Sequence, residues 1–285
     1  MSNQHQSHPA PIALFDSGVG GLSVLRSVRR LLPAEPLLYL ADQAHVPYGG
    51  RPAAQVRTFS EAVTHFFLDR GAKLIVVACN TATAAALGHL RAAFPHVPFV
   101  GMEPAVKPGA AQTRSGKVGV LATAGTFESQ RYASLMHRFA RDVTLYEDPC
   151  TGLVPLIEAG QLDTPATEQL LRRCLSPMLA AGVDTLVLGC THYPFVLPLI
   201  RHIAGEDVAI IDPAPAVARQ VQRVLTRHNL IAPAPSPTIH AFTTGDPGPF
   251  TALASRLLGH PLPTTPLHWR PDATLHPTRD TSHTV

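Results

Sequence analysis

Two stretches of this 285-residue chain repeat one another, and that repetition narrows the folds open to it. Leu74-Ile-Val-Val-Ala-Cys79-Asn-Thr81 and Thr185-Leu-Val-Leu-Gly-Cys190-Thr-His192 are short, branched apolar runs. Each ends in a small residue, a cysteine and a threonine-bearing turn. Continuous apolar runs of this length suit strands buried on both faces, as in parallel sheets. A helix-like segment follows each cysteine. The repeat also extends outward. Pro11–Phe15 enters the turn Asp16-Ser-Gly-Val-Gly-Gly21, much as Lys117–Ala122 enters Thr123-Ala-Gly-Thr126. Second strands follow at Leu37–Asp42 and Val143–Asp148, and fourth strands at Pro98–Met102 and Ala209–Asp212. Asp16 precedes Cys79 by 63 positions, and Thr123 precedes Cys190 by 67. Four strands in register on each side predict an α/β fold of two similar domains. Their sheets are expected to be mainly parallel, with a pseudo-two-fold relation and an active site in the cleft between them.

Helical patterns fall between the strands, at Gly21–Leu32, Ala53–Arg70 and Thr167–Ala181. The first domain is expected over 11–104 and the second over 105–211. A further helical pattern at 213–229 returns the chain to the first domain. A proline-rich connector (Ile231–Pro237) and a last strand and helix (Ile239–Leu258) follow, so 212–259 completes that domain. Residues 1–10 are polar, and 260–285 are rich in Pro, Thr and His; both read as disordered tails.

Composition excludes several classes of function. A hydrophobic content of 45% against 15% charged residues is that of a globular core. The net charge of +3 comes with no Lys/Arg cluster interleaved with aromatics, which argues against a nucleic-acid partner. The first ten residues lack the basic start and apolar centre of a signal peptide, and no apolar run is long enough to span a membrane. Cysteines 79, 150, 174 and 190 are widely spaced, with no metal-type pairing. Free thiols in the cytoplasm are the expectation, with no metal and no cofactor.

The chemistry-bearing residues gather at strand ends, where the ligand crevice of an open α/β sheet lies. Two thiols placed there by related halves suit proton removal from one face of a ligand and delivery from the other. A helix N-terminus favours the thiolate, the form that acts as a base. A buried, inert cysteine is the competing reading for either thiol. Asp16 opens a glycine-rich turn whose N–H groups suit a carboxylate or phosphate, against the plainer reading of a helix cap. The turn is not a dinucleotide fingerprint, because Ser23 holds the third glycine position. His192, two residues beyond Cys190, is placed to exchange a proton with that thiol. Glu158 alone reads as an exposed helical charge. Tyr48, in His45-Val-Pro-Tyr-Gly-Gly50, reads equally as a ligand contact or as loop packing.

Phe-Asp-Ser-Gly-Val-Gly-Gly-Leu-Ser-Val (15–24), Pro-Tyr-Gly (47–49), Ala-Cys-Asn-Thr-Ala (78–82) and Gly-Cys-Thr-His-Tyr-Pro (189–194) together resemble glutamate racemase, of the aspartate/glutamate racemase superfamily. The resemblance runs from Pro11 to about Gly259 and includes Phe242-Thr-Thr-Gly-Asp246. It implies cofactor-independent interconversion of L- and D-glutamate, supplying D-glutamate for peptidoglycan, by a cytoplasmic homodimer. By the same resemblance Cys79 serves D-glutamate with Asp16 assisting, and Cys190 serves L-glutamate with His192 assisting and Glu158 behind it. Ser17, Tyr48, Gly49, Asn80, Thr81 and Thr191, together with Asp16 and His192, would hold the substrate. His45 departs from the arginine that many relatives carry, which bears on loop contacts. An aspartate or other amino-acid racemase, or a binding protein with merely structural thiols, are the alternatives.

Overall fold

The computed structural model describes residues 10–278. Two sheets form the frame. In the first half of the chain, β1 (Ile12–Asp16), β2 (Leu37–Ala41), β3 (Leu74–Val77) and β4 (Phe99–Gly101) lie in the order β2-β1-β3-β4. In the second half, β5 (Lys117–Leu121), β6 (Thr144–Asp148), β7 (Thr185–Leu188) and β8 (Ala209–Ile211) lie in the order β6-β5-β7-β8. The orders correspond strand for strand, and every pairing within the two sets is parallel. β1, β2, β3 and β7 are buried along their whole length. Helices cover both faces, so these strands carry no polar side, which is why their sequences read as unbroken apolar runs.

In such an order the chain reverses direction across the sheet between β1 and β3, and between β5 and β7. The helices Leu22–Leu31 and Asn80–Ala93 leave the ends of β1 and β3. After β7 the chain makes a 3₁₀ turn (Tyr193–Val196) before the helix Leu197–Ala204. The helix Ala214–Arg227 packs on Leu22–Leu31 of the first half. Its residues Val217, Ala218, Val221 and Leu225 form the buried stripe.

The expected tail at 260–285 is corrected by the structure. β9 (Ile239–Thr243) joins the first sheet beside β2, β10 (Thr264–Trp269) pairs with β9 in parallel, and β11 (Leu275–Pro277) closes the edge antiparallel to β10. Among the described residues the first sheet therefore has seven strands, in the order β11-β10-β9-β2-β1-β3-β4. Composition misled because the segment holds few apolar residues. Its three leucines, Leu262, Leu267 and Leu275, are all buried. Residues 1–9 and 279–285 of the expected tails lie outside the described residues. Among the described residues, no helix is long and apolar enough to cross a membrane.

Candidate active site

Cys79 follows β3 by two residues and caps the helix Asn80–Ala93, its Sγ accepting from the Ala82 N–H at 3.5 Å. The helix end offers the thiolate a donor, as the sequence suggests. Burial nevertheless wins: together with the nearby Asp16 charge it pushes the Cys79 thiol well above its ordinary range. Asp16, at the end of β1, is fully buried. It accepts from the Gly18 N–H at 2.9 Å and from the Thr191 hydroxyl at 2.9 Å, a bond that reaches into the other half. Burial raises its pKa, against the lowering pull of His192 and of these two donors.

Cys190 stands at the matching place, two residues beyond β7, with its Sγ 3.7 Å from His192 Nδ1. His192 Nε2 lies 2.5 Å from Glu158 Oε1. Burial pulls the imidazole's pKa down, but the bonds to Cys190 and Glu158 outweigh it and the net direction is well upward. An imidazole that keeps its proton beside Cys190 supplies the counter-charge a thiolate needs. Glu158 is not the exposed helical charge that its position alone suggests. The Val19 N–H donates to Oε1 at 2.8 Å, and Gln43 Nε2 to Oε2 at 2.6 Å.

The glycine turn after Asp16 thus binds an anion, but that anion is the protein's own Glu158. Its glycines are steric necessities: a β-carbon on Gly18 would overlap the Glu158 carboxylate, and one on Gly20 would overlap the His192 ring. Ser23, which spoils the dinucleotide pattern, donates its hydroxyl to the Thr191 carbonyl at 2.9 Å and so ties the turn to the Cys190 loop.

Nine of the expected residues line one cavity: Ser17, Tyr48, Gly49, Cys79, Asn80, Thr81, Cys190, Thr191 and His192. Asp16 and Glu158 stand behind this wall, bonded to Thr191 and His192. The space open to the centre of a water molecule is about 20 Å³, room for roughly one water. The site is closed. A larger cavity of about 430 Å³, with Arg91, Lys107, Arg131 and Arg138 among its lining, contains neither thiol. Asn80 is buried, yet both polar atoms of its side-chain amide lack a hydrogen-bond partner among the described residues. Buried amides are seldom left so, and a polar ligand in the cavity would satisfy this one. The Thr81 hydroxyl lies 3.0 Å from that of Thr123, linking the two halves. The Tyr48 hydroxyl donates to Asp42 at 2.7 Å and is thereby occupied.

Sequence reasoning passed over Thr123, Val154 and Pro47 in the lining, and Asp42 and Gln43 behind it. Thr123 had a signal, since the repeat sets it opposite Asp16. Gln43 had none, because its partner Glu158 lies 115 positions further on. Cys150 and Cys174 are free and buried, outside the cavity lining, but lie side by side with Asp148. The sequence spacing does not suggest that grouping.

The sequence profile of the Asp/Glu/Hydantoin racemase family matches residues 16–221. A glutamate racemase of Ectopseudomonas mendocina (strain ymp) is 53% identical over 257 residues, covering 90% of this chain and 97% of its own. Among solved structures, a glutamate racemase isoform of Bacillus anthracis superposes with a TM-score of 0.81 at 34% identity, over 90% of this chain and 97% of that one. A Francisella tularensis glutamate racemase in complex with D-glutamate gives 0.78 at 29%, over 90% and 95%. With this profile, these relatives and two strand-end thiols on one cavity, the chain belongs to the aspartate/glutamate racemase family.

Proposed function

We propose that this protein interconverts L- and D-glutamate by moving the α-proton between two thiols, without a cofactor. The observation that carries this reading is the cavity itself. Cys79 lines it from one half and Cys190 from the other, with Asp16 close to the first and His192 bonded to the second. In the L-to-D direction the Cys190 thiolate takes the α-proton and the Cys79 thiol returns one from the opposite face. The reverse direction exchanges these roles. His192, held by Glu158, balances the Cys190 charge, and Asp16 assists Cys79. The α-carbanion needs its charge spread into the substrate carboxylate, which hydrogen-bond donors hold while water is excluded. Asn80 and Thr81, at the helix N-terminus beside Cys79, together with Ser17, Gly49 and Thr191, are the groups assigned to the substrate's carboxylates and ammonium.

On this reading residues 11–104 with 212–278 form one domain and 105–211 the other. The two part to admit an amino acid, because the narrow cavity holds little more than a water. Supply of D-glutamate for peptidoglycan, a cytoplasmic location and a homodimer belong to the same proposal, and sedimentation of the purified protein tests the last. The deciding experiment incubates single amino acids with dialysed, chelator-treated protein in heavy water and follows the α-proton. Exchange at glutamate with racemisation is the expected result. A strict requirement for pyridoxal phosphate, or exchange confined to aspartate, would overturn it.

A further inference from the structure

Asp42 is buried completely and accepts four side-chain donors. Its Oδ1 takes the Trp269 indole N–H at 2.7 Å and the Thr244 hydroxyl at 2.8 Å. Its Oδ2 takes the Tyr48 hydroxyl at 2.7 Å and lies 2.8 Å from His45 Nδ1. The Asp42 backbone joins the network as well: its N–H donates to the Asp16 carbonyl at 3.0 Å, and its carbonyl accepts from the His45 N–H at 3.0 Å. The loop holding Pro47, Tyr48 and Gly49, all in the cavity wall, is therefore pinned from one carboxylate. Rings reinforce the bonds. His45 stacks on Phe59 with centroids 3.8 Å apart, and Trp269 meets the edge of His45 at 5.1 Å and tilts against Phe59 at 5.5 Å.

We infer that Trp269, delivered by β10, is a positioning residue for the substrate loop, acting through Asp42 on Tyr48 and Gly49. With Trp269 and Thr244 holding Oδ1, the carboxylate is fixed in the plane that presents Oδ2 to Tyr48 and His45. A carboxylate free to rotate would leave the loop in several arrangements, only some of which complete the cavity. Apparent affinity falls by the fraction of molecules in the competent arrangement, so the effect belongs in KM rather than in the proton transfers. The inference rests on the racemase reading, since the loop is positioned for that substrate.

Trp269 is the single tryptophan in the chain, so tryptophan emission, excited selectively over the tyrosines, reports on this residue alone. Glutamate titrated into the full-length protein is expected to change that emission with a midpoint tracking KM. Trp269→Phe keeps a ring and drops the N–H. It is expected to raise KM for both enantiomers about fivefold or more, the effect of one lost charge-assisted bond, with kcat within about twofold. Asp42→Asn combined with Trp269→Phe should be little worse than Asp42→Asn alone, because both changes cut one path. If Trp269→Phe does not fold, Thr244→Val removes the other Oδ1 donor and carries the same test. Racemisation by the wild type with an unchanged KM in the folded variant, or fully additive losses, overturns the positioning role. Absence of racemisation in the wild type overturns the racemase reading, and the positioning role falls with it.

Discussion

At Gly20 the place of a β-carbon is already taken by the His192 ring. Gly20→Ala is therefore expected to displace the imidazole rather than unfold the chain. A shift of this kind beside a reacting group lowers kcat by about 100-fold, while overpacking costs about 1–3 kcal/mol. Steady-state kinetics alongside a thermal melt read the two effects separately. The thiols make a sharper pair. Cys79→Ala and Cys190→Ala should each abolish racemisation, and the double variant should be little worse than either, since the two groups act as a unit. With serine in place of one thiol, a leaving-group analogue reports on the remaining base. Cys190→Ser should still eliminate from the D-analogue and Cys79→Ser from the L-analogue; the opposite preference would mean that the two bases are exchanged. His192 also leaves a mark on stability. Its folded pKa is raised, so its contribution is complete below the ordinary imidazole range and is lost as pH rises through the raised value. Denaturant melts of wild type and His192→Gln across that window should converge towards the alkaline end.

The elements were legible in proportion to how far burial shaped their sequences. β3 and β7 are buried on both faces, so their apolar runs were unmistakable, and their cysteines sat where the chain turns into a helix. β10 was not legible. Its Thr-Thr-Pro-Leu-His-Trp holds one fully buried residue, Leu267, and what keeps it in the sheet is its parallel pairing with β9, one helix earlier in the chain. The site divides along the same line. Cys79, Asn80 and Thr81, or Cys190, Thr191 and His192, are neighbours in sequence and announce themselves. Asp42, Gln43 and Glu158 act through partners that only the fold supplies. Truncation after Pro263 tests what the last two strands contribute. It exposes Phe242, removes buried Leu267 and Leu275, and strips Trp269 from Asp42. At about 1.5–3 kcal/mol for each buried side chain, the loss should be on the order of 5 kcal/mol, read as a lower midpoint in urea.

Across the whole molecule, a few buried polar links join segments far apart in sequence. Lys73 Nζ lies 2.6 Å from Glu35 Oε2, both side chains nearly buried, and Glu35 Oε1 accepts the Ala232 N–H at 2.8 Å. One carboxylate so anchors the run into β3 and the proline-rich connector together. Glu35→Ala leaves Lys73 uncompensated and should cost about 3–5 kcal/mol, measurable by urea melts; a change under about 1 kcal/mol would mean that the pair is screened as at a surface. Glu158 has a wider consequence. It belongs to the second half, yet the first half holds both its oxygens, through Val19 and Gln43, while it holds His192. Any motion that parts the halves pulls on these same bonds, and so loosens the imidazole's grip beside Cys190. On the proposed mechanism an opened protein would then be a disarmed one, its imidazole no longer held beside the Cys190 sulfur. A compound wedged between the halves would silence the catalyst without touching either sulfur.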